Sequence, residues 1–339
     1  MKKRITAQDV ANLANVSRSM VSRYFKPKQG APVSDANQEK IRQAAEKLNY
    51  RPNMTARTLN TGRSGIIGIA VSYLDNPFYS EMLENLSREF QKNGLCVMTF
   101  FLTATDDIDE VDRLISQAID YQLNGIVMLS VSVSSLMAQR CSDAHIPVVL
   151  INRKQPRLDE NNFIFSVTTD NYKGGQLVAD YMQTAGYSRI GYLAGWEFAS
   201  TQIEREKGFV EQLAKYGKSI AFREDGKFLP SATKTSILKM CSDPKCRPDA
   251  IFICNDYMAL TAIEVLRYEI GIRVPEDIAI IGFDDISLST RASFQLTTVK
   301  QNTDEMIQYS VQIIKNIIDH KLNEKNIIVD CSLVLRETA

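Results

Sequence analysis

Arg18, Ser19, Ser22 and Arg23 are spaced to fall on one side of a short helix, opposite Val21, Tyr24 and Phe25. A guanidinium can read guanine bidentately in the major groove, and a serine hydroxyl can donate to or accept from a base or a phosphate. Residues suited to catalysis are sparse by comparison. Asp284-Asp285 could be paired carboxylates, but no nucleophile or metal partner stands near them in the sequence. His145 and His320 are isolated, and the six cysteines show neither CxxC nor zinc spacing. They read as reduced thiols, mostly filling the core. Dinucleotide (GxGxxG), phosphate (GxxxxGK) and nucleophile-elbow (GxSxG) motifs are absent. No catalytic residue, no metal and no cofactor is therefore expected; binding without chemistry is.

The elements that would position Arg18 and its neighbours are legible. Thr6-Ala7-Gln8-Asp9 fits a capping box, with Val10, Leu13 and Ala14 at helical spacing behind it. Asn15-Val16 breaks the pattern, and Ser17 can cap a second helix running to about Phe25. A third begins at Ser34 and turns Ile41, Ala45 and Leu48 inward. Three short helices with one tight turn predict a helix-turn-helix bundle over residues 1–52. Residues 53–63 read as a hinge helix or linker, because so short a segment, with β-branched threonines at 55, 58 and 61, nucleates poorly alone. Charge supports a nucleic-acid partner. The chain has 40 Lys+Arg and 40 Asp+Glu, yet residues 1–63 carry a net +9 and the rest a net −9.

With 339 residues and 44% apolar side chains, the remainder can build sizeable cores. Apolar runs recur at 66–71, 95–102, 125–131, 146–151, 190–194, 251–254 and 278–281. Helical patterns over 77–93, 108–121, 172–185, 201–216 and 257–270 alternate with them. That alternation predicts parallel, doubly wound sheets covered on both faces, in two lobes dividing near Ser166-Val167. No secretory signal and no membrane-length apolar run is present, so a cytoplasmic protein without a membrane partner is expected.

The segments Asp9-Val10-Ala11, Val16-Ser17, Val21-Ser22-Arg23, Val33-Ser34, Tyr50-Arg51-Pro52-Asn53 and Ala56-Arg57-x-Leu59 carry a family pattern. So do "IGIAVSYLDNPFYSEML", "IPVVLINR", "VTTDNYKGG", "REKGF", "FICNDYMAL", "VPEDIAIIGFDD", "LTTVKQ" and "LVLRETA". In this order the chain resembles, along essentially its whole length, the lactose/galactose-repressor (LacI/GalR) family of bacterial regulators. The resemblance implies a sequence-specific DNA-binding regulator, a repressor, controlled by a small-molecule effector such as a sugar or sugar derivative. It implies an all-α helix-turn-helix head and a periplasmic-binding-protein-like α/β body of two lobes. These would comprise about 64–166 plus 293–322, and 167–292 plus 323–339.

By the same resemblance, DNA contacts fall on Thr6, Ser17, Arg18, Ser19, Ser22 and Arg23, and on Asn53, Arg57 and the minor-groove wedge Leu59. Effector contacts fall on Tyr73, Phe78, Tyr79, Asn152 and Arg153 of the first lobe. The second lobe would supply Trp196, Arg205, Asn255 and Asp284. Five departures bear on detail. Met20 replaces a usual Thr, Lys26 a usual Asn, and the loop Pro27–Pro32 is about two residues longer than usual, and all three bear on the phosphate contacts. Tyr73 and Asn152 stand where sugar-responsive members often carry Asp, which favours a modified sugar, a glycoside or an anionic metabolite. A homodimer is expected, since palindromic half-sites double what one short helix reads. No leucine-heptad tail follows the last strand, so a tetramerising coiled coil is not expected. The rival readings are a sugar-binding transport protein, which the basic head argues against, and a doubly wound enzyme, which the missing motifs argue against.

Overall fold

A computed structural model describes residues 5–25, 32–51, 64–102, 108–131, 133–154, 163–319, 321 and 324–339. It divides into two compact units, Met1–Ser64 and Gly65–Ala339.

In the first unit, helices α1 (Ala7–Ala14), α2 (Arg18–Tyr24) and α3 (Asp35–Lys47) enclose a core of Val10, Ala11, Ala14, Val21, Ile41, Ala44 and Ala45. Thr6 and Asp9 form the reciprocal capping box at the start of α1, and Asn15 ends that helix in the left-handed region at φ 53°. Leu13, expected to face inward, is 45% exposed, and Ala11 takes its place. The helix turns 100° per residue, so a face centred between Val10, Ala14 and Ala11 leaves Leu13 on the rim. Two neighbouring helices select that face; periodicity alone does not.

In the second unit the chain lays down β1 (Ile66–Val71), α4 (Pro77–Lys92), β2 (Cys96–Phe101), α5 (Ile108–Asp120), β3 (Gly125–Leu129), α6 (Ser135–Asp143), β4 (Val148–Ile151) and β5 (Ile164–Thr169). There follow α7 (Asn171–Thr184), β6 (Ile190–Ala194), α8 (Ser200–Lys215), β7 (Phe222–Asp225), α9 (Pro230–Cys241), β8 (Ala250–Ile253), α10 (Asp256–Glu264) and β9 (Ala279–Asp284). The last elements are β10 (Thr297–Gln301), α11 (Thr303–Ile318), β11 (Asn326–Val329) and β12 (Cys331–Val334). One six-stranded sheet runs β11-β5-β4-β3-β1-β2 and the other β12-β10-β9-β8-β6-β7. Every pairing is parallel except β10–β12. The inner strands β3, β4, β5, β6, β8 and β9 are buried along their whole length, as sheets covered by helices on both faces require.

The expected lobe boundaries need correction. All of β5 lies in the first sheet, so the first crossing is at Asp170 and not near Ser166-Val167. Strand β10 was expected in the first lobe but pairs with β9 in the second (Thr297 with Ile281). Strand β11 was expected in the second lobe but pairs with β5 in the first (Asn326 with Ser166). The chain thus crosses three times, at Asp170, Asn302 and Asp330. These assignments depend on pairing between strands far apart in sequence, which no local pattern records. Among the described residues no helix is long and apolar enough to cross a membrane.

Candidate functional site

In the head, Ser17 caps α2 by accepting from the Met20 amide at 3.2 Å, and its hydroxyl lies 2.9 Å from that of Ser19. The Thr6 hydroxyl donates to Asp9 Oδ2 at 2.7 Å. Thr6 and Ser17 therefore build helix starts as well as standing at the surface. Val21 anchors α2 in the core, which leaves Arg18, Ser19 and Ser22 exposed and Arg23 half-buried. Met20 is half-buried and packs on the same core, so the residue that departs from the family's usual Thr acts here as an apolar contact. Asn53, Arg57, Leu59 and Lys26 lie outside the described residues.

In the second unit, one cavity between the lobes is lined by all nine residues expected there. From the first lobe come Tyr73, Phe78, Tyr79, Asn152 and Arg153; from the second come Trp196, Arg205, Asn255 and Asp284. Most stand just beyond the carboxyl ends of parallel strands: Tyr73 after β1, Asn152 after β4, Trp196 after β6, Asn255 after β8, with Asp284 closing β9. Ligands of open α/β sheets bind at such ends. Tyr73 (φ 56°), Ser130 (φ 61°), Asn152 (φ 56°) and Asp284 (φ 133°) all adopt positive φ there. Non-glycine residues in these regions each cost about 1–3 kcal/mol, and surrounding contacts must hold them.

Those contacts are visible. Arg205, on α8, donates from Nε to Asn171 Oδ1 at 2.8 Å and from Nη1 to the Cys254 carbonyl. It stands 3.6 Å over the Phe283 ring and 3.6 Å from Asp284 Oδ1. Asp284 Oδ1 accepts from Gln301 Nε2 at 2.6 Å. The other end of the same Gln301 amide accepts from Asn152 Nδ2 at 3.1 Å and Thr169 Oγ1 at 2.6 Å. One buried side chain beside the Asn302 crossing thus links Asn152 of the first lobe to Asp284 of the second. The Asn152 Oδ1 has no partner among the described residues. Asn255 accepts the Met258 amide at 3.0 Å and caps α10. Beneath it Asp256 accepts from Ser289 at 2.7 Å, the Ile286 amide at 3.1 Å and Thr298 at 2.5 Å, which fixes the exit of β9.

An aromatic wall completes the cavity. Trp196 lies 5.0 Å from Tyr73 and 5.3 Å from Phe228 between ring centroids, and Phe198 stacks on it at 5.7 Å. Such faces suit the apolar side of a ring, while forked polar groups suit its hydroxyls. Gln301, Ser130 and Phe228 were not anticipated. Gln301 ends the segment "LTTVKQ" and was detectable there; Phe228 carries no local signal.

Burial pushes the Asp284 carboxyl up to about 7; Arg205 pulls it down, nearby Asp256 raises it and the Gln301 hydrogen bond lowers it. The folded value lies above the usual, unfolded one. The stability this group contributes is therefore present below about pH 4 and is lost as pH rises through about 7. Asp284→Asn fixes the neutral form, so its melting temperature relative to wild type should climb between about pH 5 and pH 8. Thermal melts at the two values check this; a relative gain by the wild type would place the Arg205 pair ahead of burial.

The bacterial regulatory proteins, lacI family, profile matches residues 6–53, and the periplasmic binding protein-like domain profile matches residues 179–339. The chain is 31% identical to the HTH-type transcriptional repressor PurR of Aliivibrio salmonicida (strain LFI1238), over 95% of each chain. It is 27% identical to the ribose operon repressor of Escherichia coli (strain K12), over 91% of this chain and 92% of that one. Its fold matches the lac repressor dimer bound to operator and the anti-inducer ONPF, with a TM-score of 0.85, 24% identity and 99% of each chain covered. Helix-turn-helix head, two-lobed body and these full-length relatives together establish that the chain belongs to the LacI family of bacterial regulatory proteins.

Proposed function

We propose that the chain is a cytoplasmic DNA-binding transcriptional repressor, acting as a homodimer and not as an enzyme. Its operator affinity is set by a small molecule, a sugar or sugar derivative, in the interlobe cavity. The carrying observation is α2, which buries Val21 and turns Arg18, Ser19 and Ser22 to solvent, the arrangement that lets side chains reach base edges in the major groove. Relatives named as repressors, and a lac repressor dimer bound to operator, support the reading. Thr6, Ser17 and Arg23 complete the proposed major-groove contacts. Asn53, Arg57 and Leu59 are proposed for the hinge, with Leu59 wedging the minor groove.

Selecting DNA with the full-length protein tests the first half. Arg18→Ala is expected to relax base preference at one symmetric position, at about 1–3 kcal/mol on the selected site. An equal loss on every sequence would mean that Arg18 only contacts phosphate. A thermal-shift panel of sugars, sugar acids and nucleosides tests the second half. A ligand at 100 times its Kd adds roughly 2.7 kcal/mol, and a genuine effector must also change operator affinity.

A further inference from the structure

We infer that the effector carries an oxyanion, a carboxylate or a phosphate ester, and that Arg153 is the side chain that binds it. The inference rests on the reading of the interlobe cavity as the effector site.

The two arginines of the cavity are buried to the same degree, 5% exposed for Arg153 and 3% for Arg205, but differ in what holds them. Arg205 is committed to Asn171, the Cys254 carbonyl, the Phe283 face and Asp284. Arg153 makes one side-chain hydrogen bond among the described residues, from Nη1 to the Asn152 carbonyl at 2.7 Å. A guanidinium has five donors. The charged and titratable groups that reach it are the Tyr79 and Tyr73 phenols and the like charge of Arg205. The carboxylates of the same cavity lie elsewhere: Asp284 stands with Arg205 and Gln301, and Asp75 is exposed. Burial pushes the Arg153 pKa down, as expected for a cation with no carboxylate beside it among the described residues.

A buried charge is costly unless it is paired, and a guanidinium fork matches carboxylate and phosphate oxygens bidentately. Arg153 is not needed to hold its own loop. The next residue, Lys154, pairs with Glu204 of α8 and donates its amide to Ser200 Oγ at 3.3 Å. Beside Arg153, the unpartnered Asn152 Oδ1 awaits a donor. A ligand with a hydroxyl next to an oxyanion satisfies both groups at once; a neutral polyol satisfies only the second.

The test uses full-length protein and matched probes: glucose, gluconate and glucose 6-phosphate; ribose, ribonate and ribose 5-phosphate; and inorganic phosphate and sulfate at constant ionic strength. Calorimetry and thermal shift are expected to show an anionic member binding about 100-fold more tightly than its neutral parent, the carboxylate and phosphate arms telling which oxyanion is used. Arg153→Gln should erase that difference and Arg153→Lys retain part of it. Without ligand, Arg153→Gln should melt at or above wild type, because it removes a buried charge that no carboxylate pairs among the described residues. Melting well below wild type makes Arg153 structural and overturns the inference. Neutral parents binding as tightly as their anions also overturn it but leave the effector site standing. If no probe binds while operator binding is intact, the inference and the effector reading of the cavity fall together.

Discussion

At pH 8, where the Asp284 carboxyl is ionised, Arg205→Ala is expected to lower the stability of the two-lobed unit by about 3–5 kcal/mol, the usual cost of breaking a buried pair from one side. The guanidinium is 3% exposed and joins α7, through Asn171, to the end of β8, through the Cys254 carbonyl. It also supplies the positive charge facing Asp284, which is 6% exposed and would be left to Gln301 alone. Urea unfolding of full-length wild type, Arg205→Ala and Arg205→Lys measures this. The lysine should recover part of the loss by keeping a charge near Asp284 while losing the planar fork and the stack on Phe283. A loss for alanine below about 1 kcal/mol would mean that desolvation of the pair already offsets its attraction. Because the residue is structural as well as cavity-lining, alanine at 205 mixes folding with ligand contact. Arg153 is the cleaner probe of the ligand.

Gly208→Ala, mild on paper, should cost about 3 kcal/mol or more, at the top of the range for overpacking. A Cβ at Gly208 would sit 2.0 Å from the Tyr172 carbonyl oxygen, and one at Gly175 would sit 2.2 Å from the Arg205 carbonyl oxygen. Both obstacles are backbone, so no rotamer change relieves them; helices α7 and α8 would have to part. Arg205 is on α8 and its partner Asn171 opens α7, so the separation should also disturb the cavity. Lys207→Ala, one residue away with a side chain 63% exposed, is the control and should stay within about 0.5 kcal/mol of wild type. Comparable denaturation midpoints for the two variants would show that the helices can shift apart cheaply.

Much of this molecule was legible in the sequence where the determinants are local. Thr6 with Asp9, and Ser17 before Arg18, mark helix starts because the cap and the amide it satisfies lie within three residues. The seven apolar runs all hold strands, and the five helical patterns all hold helices. Strands β5, β7, β10, β11 and β12 and helices α6, α9 and α11 fall outside those runs and patterns. Edge strands β7, β11 and β12 are only partly buried and four residues long, too short for periodicity to rise above background. The nine cavity residues were anticipated through family resemblance; no spacing in the chain brings Tyr73 next to Trp196.

The kind of elements, their order and the basic recognition face of α2 are local properties of the chain, since each follows from neighbours within a turn or two. Tertiary structure decided which lobe each late strand joins and which polar groups find partners. Gln301 meets Asn152 and Thr169 across separations of 149 and 132 residues, and β11 and β12 go to different sheets though one residue separates them. It also decided that Arg205 is satisfied by the protein while Arg153, equally buried, has a single hydrogen bond among the described residues. The physical reason is the same throughout. Caps and periodicity are set by covalent spacing along the chain, whereas pairing, burial and charge compensation depend on which distant segments the packed sheets bring within hydrogen-bond reach.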